Sequence, residues 1–448
     1  MHTMHTEIKT ISGIEITVLN TGATITPEAQ AMLGALHSRS IGGIKSHLEI
    51  LAKSGADKFM STYYVGYGHK SIGDLGSISV FIEGVSLLAA KAIQDFRLYN
   101  GQEASTRYID FSVQPFINPL GTTEGEAVLE AWRAFYLKGL AALEPVLKER
   151  FPRGADEKEA IYDKAIKARA FDTMRGFLPA GATTNLVWHG PVRQFADRLL
   201  ILRHHPLAEV REIAEGIEDA VLIACPNSFS KKRYEATEDY NRAMTTRYAY
   251  FDDDAPLSCA VARDNVDRDA LSHYRDALSE RPPKTELPKA LAECGTVQFR
   301  FLLDFGSFRD IQRHRAVIQP MPLLTTKHGF EEWYLGELPE GLRAEAKDFL
   351  KEQEKAIAAF HLSPEEAQYY TGIGYRVANR VTGDLPALVY LVELRATRFV
   401  HPTLRARAIE MARLLTEHFG KDGLTLHLDA DPDRFDVKRG EQDIVKKS

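Results

Sequence analysis

Residues 95–108 read Asp-Phe-Arg-Leu-Tyr-Asn-Gly-Gln-Glu-Ala-Ser-Thr-Arg-Tyr, and a partial second version begins at Arg313-His314-Arg315. Seven residues separate Arg97 from Ser105, which is followed by Arg107 and Tyr108. The same count of seven after Arg315 leads to Leu323, with Thr325 and Thr326 where Arg and Tyr fall in the first version. One version keeps a polar second part; the other keeps a basic first part.

Working outward, each version sits in a similar succession of patterns. A strand at Ile14–Leu19 is echoed by Leu257–Val261, which follows the acidic run Asp252-Asp253-Asp254. Ile78, Val80 and Ile82 alternate, as do Val297, Phe299, Phe301 and Leu303, the period of strands with one buried face. Each strand is expected to pass through an acid-plus-glycine turn, Glu83-Gly84 or Asp304-Phe305-Gly306, into a helix. Basic residues at the C-terminal ends of these helices suit the macrodipole.

Long amphipathic helices are expected near 123–151 and 338–361, and second helices near 157–177 and 364–381. Ser363-Pro364-Glu365-Glu366 reads as an N-cap with Pro at the first helical position. A helix ending at Arg203, or at Arg395 and Arg398, then a His-Pro pair (His205-Pro206; His401-Pro402) and a last amphipathic helix complete each series. A period on the order of 200 residues is that of a doubled domain and not of a solenoid. The expected class is α+β, in two consecutive domains, 1–240 and 241–448, each an antiparallel sheet with long helices.

The chain has 448 residues, 44% of them hydrophobic and 26% charged, which is the composition of a globular protein with sizeable cores. Its net charge of −6 argues against a general nucleic-acid binder. The first ten residues, MHTMHTEIKT, carry no apolar core of a signal peptide, and no stretch approaches the roughly 18 apolar residues of a membrane helix. Cys225, Cys259 and Cys294 are isolated and odd in number, so buried thiols are expected in place of a disulfide or zinc framework. The expected location is cytoplasmic. No phosphate-binding G-x-x-x-x-G-K-[S/T] or dinucleotide-binding G-x-G-x-x-G occurs. His204-His205 and His401 lack metal-ligand spacing, and no metal is expected.

Within Glu103–Tyr108, a carboxylate, a hydroxyl, a guanidinium and a phenol fall inside six residues. A guanidinium fork suits a phosphate monoester, while the competing reading is a solvated turn after a helix. For Arg313-His314-Arg315 the competing reading is a set of surface charges satisfied by Asp304 or Asp310.

The two motifs together resemble the signature of flavin-dependent thymidylate synthases: R-H-R, seven residues, Ser, one residue, then often Arg-Tyr. The chain is similar to two such subunits in tandem, over about 13–232 and 256–430. The resemblance implies FAD as cofactor, dUMP as substrate, and methylenetetrahydrofolate and NADPH as co-substrates in reductive methylation to dTMP. It implies that Glu103, Ser105, Arg107, Arg175, Arg203 and Arg313 bind substrate, with Ser105 positioning it and not acting as a nucleophile. It assigns His69, Ser71, Arg193, Arg313, His314 and Arg315 to the cofactor, with Ser105, Arg313 and His314 at the reacting centre. Arg175, Leu178 and Pro179 match an Arg-x-x-Leu-Pro segment, and Trp188, Arg193 and Arg203 fall in a stretch resembling a flavin- and substrate-contacting helix. Pro191 and Asp197 depart from the family's asparagines. An aromatic such as Tyr64 or Tyr67 would flank the folate.

Asp95-Phe96 replaces Arg-His in the first version, and the second has lost Ser, Arg and Tyr. A composite pocket joining His69, Ser71, Glu103, Ser105 and Arg107 to Arg313, His314 and Arg315 is therefore expected, with its reciprocal inactive. The corresponding assembly is a homodimer, equivalent to the family's homotetramer. The alternatives are methylation of another pyrimidine nucleotide and a degenerate, non-catalytic nucleotide-binding paralogue.

Overall fold

A computed structural model describes residues 5–19, 25–39, 44–66, 69–107, 109–229 and 232–429. Tyr67, Tyr108 and the basic C-terminal tail lie outside them. The chain forms two compact units, one of residues 1–105 and 183–249, the other of 106–182 and 250–448. This division crosses the expected boundary near 240. The helical pair of the first half, Thr123–Arg150 and Glu159–Met174, belongs to the same unit as the whole second half. Compactness follows packing, whereas a repeat boundary follows chain order, and the two need not coincide.

The first unit holds an antiparallel sheet of β1 (His5–Lys9), β2 (Glu15–Leu19), β3 (Ser77–Ser86), β4 (Asn100–Glu103) and β5 (Thr183–Pro191), in the order β1-β2-β3-β5-β4. Ile16, Val18, Ile78, Val80 and Ile82 are buried on its inner face, as their period of two requires. The Ala208–Ala224 helix packs Val210, Ile213 and Ile217 into the same core. Trp188, expected on a helix, lies on β5, fully buried and stacked on Phe195 with ring centroids 4.0 Å apart. Glu83-Gly84 is not the turn into the next helix. Both residues lie within β3, where the register shifts between Ile82 and Val85 and Gly84 takes φ +74°, a conformation that favours glycine. Ser86 makes the turn instead, its hydroxyl capping the Leu87–Gln94 helix by accepting from Ala89 N.

The second unit holds β6 (Ala260–Asp264), β7 (Val297–Asp304) and β8 (Arg376–Gly383), antiparallel in that order. The strand expected at Leu257–Val261 is displaced a few residues along the chain. Val297, Phe299, Phe301 and Leu303 are all buried. Asp304 caps the Phe305–Ile311 helix through Ser307 N. The helix expected over 364–381 is one turn, Pro364–Ala367, with Ser363 as cap; a 3-10 turn at Gln368–Tyr370 follows, and β8 begins at Arg376. Gly372 and Gly374 disfavour helix continuation, and Val377 and Val381 supply β-branched residues to the strand. The acidic run is pinned within this unit: Asp252 to Lys327 and His328 (both 3.2 Å), Asp253 to Arg300 (2.5 Å) and Asp254 to Lys327 (3.1 Å).

Short segments of the two series can be set against each other from the strand ends. Ser86 pairs across its sheet with Thr183, and Asp304 with Arg376. Counting from these caps, Asp95-Phe96-Arg97 answers to Arg313-His314-Arg315, and Arg175 answers to Gln368, each opening a 3-10 turn. Inside the second unit the corresponding segments pair antiparallel about Pro179 and Gly372. Gly181 N donates to Tyr369 O (2.8 Å) and Ala180 N to Thr371 O (2.9 Å), while Gly374 N donates to Gly176 O and Ile373 N to Leu178 O (both 2.8 Å). The pattern is a local two-fold in which each segment does to the other what is done to it. The long helices Thr123–Arg150 and Glu340–Ala359 meet beside it, Phe135 stacking on Phe349 at 4.6 Å.

Candidate functional site

The second unit gathers arginines from both halves of the sequence around three aspartates. Arg107 donates from Nε and Nη2 to the two carboxylate oxygens of buried Asp172, at 2.9 and 2.7 Å. This bidentate geometry fixes the plane of the fork. Asp172 carries its backbone oxygen 3.2 Å from His401 Nε2. On the other side of the imidazole, His401 Nδ1 lies 2.9 Å from Thr403 Oγ1, which is 2.7 Å from Ser307 Oγ. Arg175 Nη2 donates to that Ser307 hydroxyl at 2.8 Å, and its Nη1 lies 3.7 Å from Asp310. Asp310 also faces Arg313 at 3.4 Å and gives its backbone oxygen to Arg395 Nη2 at 2.7 Å. The chain of contacts from Arg107 to Arg313 is continuous.

Tyr334 seals the inner end: its hydroxyl donates to Asp304 at 2.7 Å and accepts from Arg175 Nε at 3.4 Å. Burial and then Asp304 hold that phenol well above its ordinary pKa. Burial opposes the charge on Arg175, but Tyr334, Asp310, Asp304 and Asp172 outweigh it and keep the guanidinium firmly protonated. Burial likewise opposes the charge on Asp310, and Arg175, Arg313, Arg395 and Arg309 overcome it, holding the carboxyl low. Arg313 and Arg315 are exposed, whereas His314 between them is buried. The guanidiniums of Arg107, Arg175, Arg313 and Arg395 outnumber the carboxylates of Asp172, Asp304 and Asp310, before Arg309 and Arg315 are considered. Such an excess of cationic forks suits a phosphorylated ligand.

The remaining expected residues belong to the first unit. Ser105 is exposed at the end of its first segment. Glu103, at the end of β4, meets Lys91 Nζ at 2.6 Å with both side chains buried, and accepts from Gln94 at 2.9 Å. His69 and Ser71 are exposed at the start of the Lys70–Asp74 turn. Arg193 pairs with Asp74 at 2.9 Å. Arg203 clamps Glu238 through Nε and Nη2 at 2.9 and 2.5 Å, with His204 2.8 Å from the same carboxylate. Arg203 leads the causes that hold Glu238 down at about 2. Tyr64 is buried, and burial followed by Asp197 and Asp74 raises its phenol to about 12. Asp310 was named from the sequence as a partner of Arg313-His314-Arg315 and does face Arg313, whereas Asp172, Ser307, Tyr334 and Thr403 were not singled out. Their signal is positional, since only the fold brings them beside the arginines.

All three cysteines are free and buried. Among the described residues no cluster of His, Cys, Asp and Glu forms a metal site, and no helix is long and apolar enough to cross a membrane.

Three buried histidines make an acid response measurable. Burial and then Arg198 lower His205 to about 3, burial and then Arg395 lower His314 to about 3, and burial and then Arg175 push His401 well below its usual value. Below the unfolded value of about 6.5 the unfolded chain binds the protons that the folded chain refuses, so stability falls as pH drops. Each histidine contributes a slope of up to about 1.4 kcal/mol per pH unit in that window. Thermal melts are expected to weaken between about pH 6.5 and pH 5, above the ordinary carboxylate range. A flat profile there would contradict the burial of these rings.

Residues 24–227 match the model of a family described as thymidylate synthase complementing protein. A UPF0159 protein of Chlamydia muridarum is 27% identical over 467 aligned positions, covering 86% of this chain and 87% of that protein. UPF0159 proteins of Chlamydia pneumoniae and Thermoplasma acidophilum are 26% and 24% identical, covering 78% and 80% of this chain and 76% and 85% of their own lengths. The resemblance read from the motifs is borne out over the matched stretch, and the α+β class with antiparallel sheets agrees with it. The relatives extend through both halves.

Proposed function

From a chain that matches the thymidylate synthase complementing family over residues 24–227, we infer an enzyme of the flavin-dependent thymidylate synthase type. The proposed reaction is reductive methylation of dUMP to dTMP, with FAD as cofactor and methylenetetrahydrofolate and NADPH as co-substrates. One observation carries this reading: Arg107 and Arg175 from the first half share a network with Arg313 and Arg395 from the second. That sharing supports a tandem duplication in which each half supplies groups the other has lost.

The donor set fits a phosphorylated ligand. Arg107, its fork oriented by Asp172, and Arg175, held by Ser307 and Tyr334, are the proposed phosphate ligands of the nucleotide. Ser105, two residues before Arg107, is proposed to position the base or sugar. Exposed Arg313 and Arg315 are the residues that would hold the flavin cofactor, with His314 between them. Bound FAD would supply the hydride chemistry that no side chain can. The protein's own contribution is binding, orientation and a field of positive charge where negative charge accumulates on the pyrimidine.

A second reading has its own observation. Glu103 is committed to Lys91 and Arg203 to Glu238, so two expected ligand-binding groups serve the protein's internal structure, as in a nucleotide-binding paralogue without catalysis. Tritium release from 5-tritiated nucleotides separates the readings. Release from dUMP in the presence of FAD, NADPH and methylenetetrahydrofolate supports the synthase; release from UMP alone moves the substrate to another pyrimidine. Nucleotide binding without release from any of them identifies the paralogue.

A further inference from the structure

We infer that Arg395 is a positioning residue that fixes His314 as a neutral ring with its proton on Nδ1. Arg395 Nε lies 2.6 Å from His314 Nε2. A guanidinium Nε always carries hydrogen and never accepts, so the Nε2 it meets must offer a lone pair. The imidazole proton is thereby confined to Nδ1. Arg395 is itself held by a second bond, Nη2 to the backbone oxygen of Asp310 at 2.7 Å, at the end of the helix that leads into His314. The two bonds tie the last residue of the Leu385–Arg395 helix to the end of the Phe305–Ile311 helix and to His314 beyond it.

Counted from the helix caps Asp304 and Ser86, His314 answers to Phe96; counted from Asp384 and Pro191, Arg395 answers to Leu202. In the first half Arg198 makes the corresponding backbone bond, Nη2 to Ala92 O at 2.9 Å, and lies 5.3 Å from the centroid of the Phe96 ring, so the guanidinium is kept there while a ring without nitrogen takes the place of the imidazole. The groups facing the ring are Arg395 from the Leu385–Arg395 helix, Asp310 and Arg313 from its own segment, and Tyr390 with ring centroids 6.0 Å apart. Burial and Arg395 disfavour a second proton more than Asp310 favours it.

The consequence for ligand choice is specific. His314 offers a ligand a donor, Nδ1–H, and neither an acceptor nor a positive charge. The group it recognises is a neutral or anionic oxygen or nitrogen acceptor, and that recognition holds unchanged across neutral pH. The identity of the ligand rests on the proposed function, but the state of the ring does not.

The test is nitrogen NMR of the full chain labelled with 15N-histidine, with His314 assigned by its absence in His314→Gln. The expected spectrum shows Nδ1 protonated, Nε2 unprotonated, and no titration between about pH 5 and pH 8. In Arg395→Met nothing confines the proton to Nδ1, so both tautomers are expected to be populated, while burial, which the change leaves in place, continues to disfavour a second proton. A wild-type proton on Nε2, an ordinary wild-type titration, or no change in Arg395→Met would overturn the inference. The wild-type spectrum decides alone should Arg395→Met not fold. Nucleotide binding with the wrong tautomer would sink only this inference; the right tautomer in a chain that binds no nucleotide would sink only the proposed function.

Discussion

Replacing Arg175 by methionine is expected to lower affinity for a nucleoside monophosphate about 100-fold or more, as loss of a buried, hydrogen-bonded charge at a binding site does. The same change should reduce stability by about 3–5 kcal/mol, because it leaves partners of a buried ion pair uncompensated. Arg175 is 8% exposed and touches Ser307, Tyr334, Asp304 and Asp310. Arg175→Lys separates the two effects. Its ammonium retains the charge that Asp304 and Asp310 require, so part of the stability should return. It lacks the planar fork, so the affinity should not. Isothermal titration beside thermal melts reads both quantities. Wild-type affinity in Arg175→Met would remove this residue from the site and with it the link between the halves.

The second large effect is expected at Lys91 and Glu103. Their side chains are 0% and 2% exposed and lie 2.6 Å apart, so Lys91→Met strands a buried carboxylate at a cost of about 3–5 kcal/mol. Replacing both, as Lys91→Met with Glu103→Gln, should cost less than the sum of the single changes, since residues in one ion pair do not act independently. Glu103→Gln also decides what that residue is for. A lowered melting temperature with near-normal nucleotide affinity makes it structural. Weakened binding at an unchanged melting temperature returns it to the substrate.

What the sequence made legible follows from the range of the interactions involved. The alternation of Ile78, Val80 and Ile82, and that of Val297 to Leu303, is a property of neighbours along the chain, and both strands lie where the pattern puts them. The long helices at Thr123–Arg150 and Glu340–Ala359 were equally visible from their stripes. Strand β8 was not, because Arg376–Gly383 mixes arginines with β-branched residues and follows a strong helix start at Ser363-Pro364. Only its pairing with β7 distinguishes it. Glu83-Gly84 misled for a related reason: an acid and a glycine signal a turn, but here the glycine serves a bulge inside a strand.

The candidate site divides in the same way. Arg107, Arg175, Arg313 and His314 were found through motif spacing, which survives in one dimension. Asp310, three residues before Arg313, was visible beside the motif, but Asp172, Ser307 and Thr403 come from three separate places in the chain and have no local signature. Commitments of charge are likewise invisible until folded: nothing in the sequence ties Glu238 to Arg203, yet the pair accounts for both fork nitrogens.

Each chain is expected to build one anion-binding site from arginines of both halves. Titration of the purified full chain with dUMP in the presence of FAD tests it most directly, by counting sites. One nucleotide and one flavin per chain, with both lost in Arg313→Met, is the expected result. Two nucleotides per chain, or none with flavin present, would contradict it.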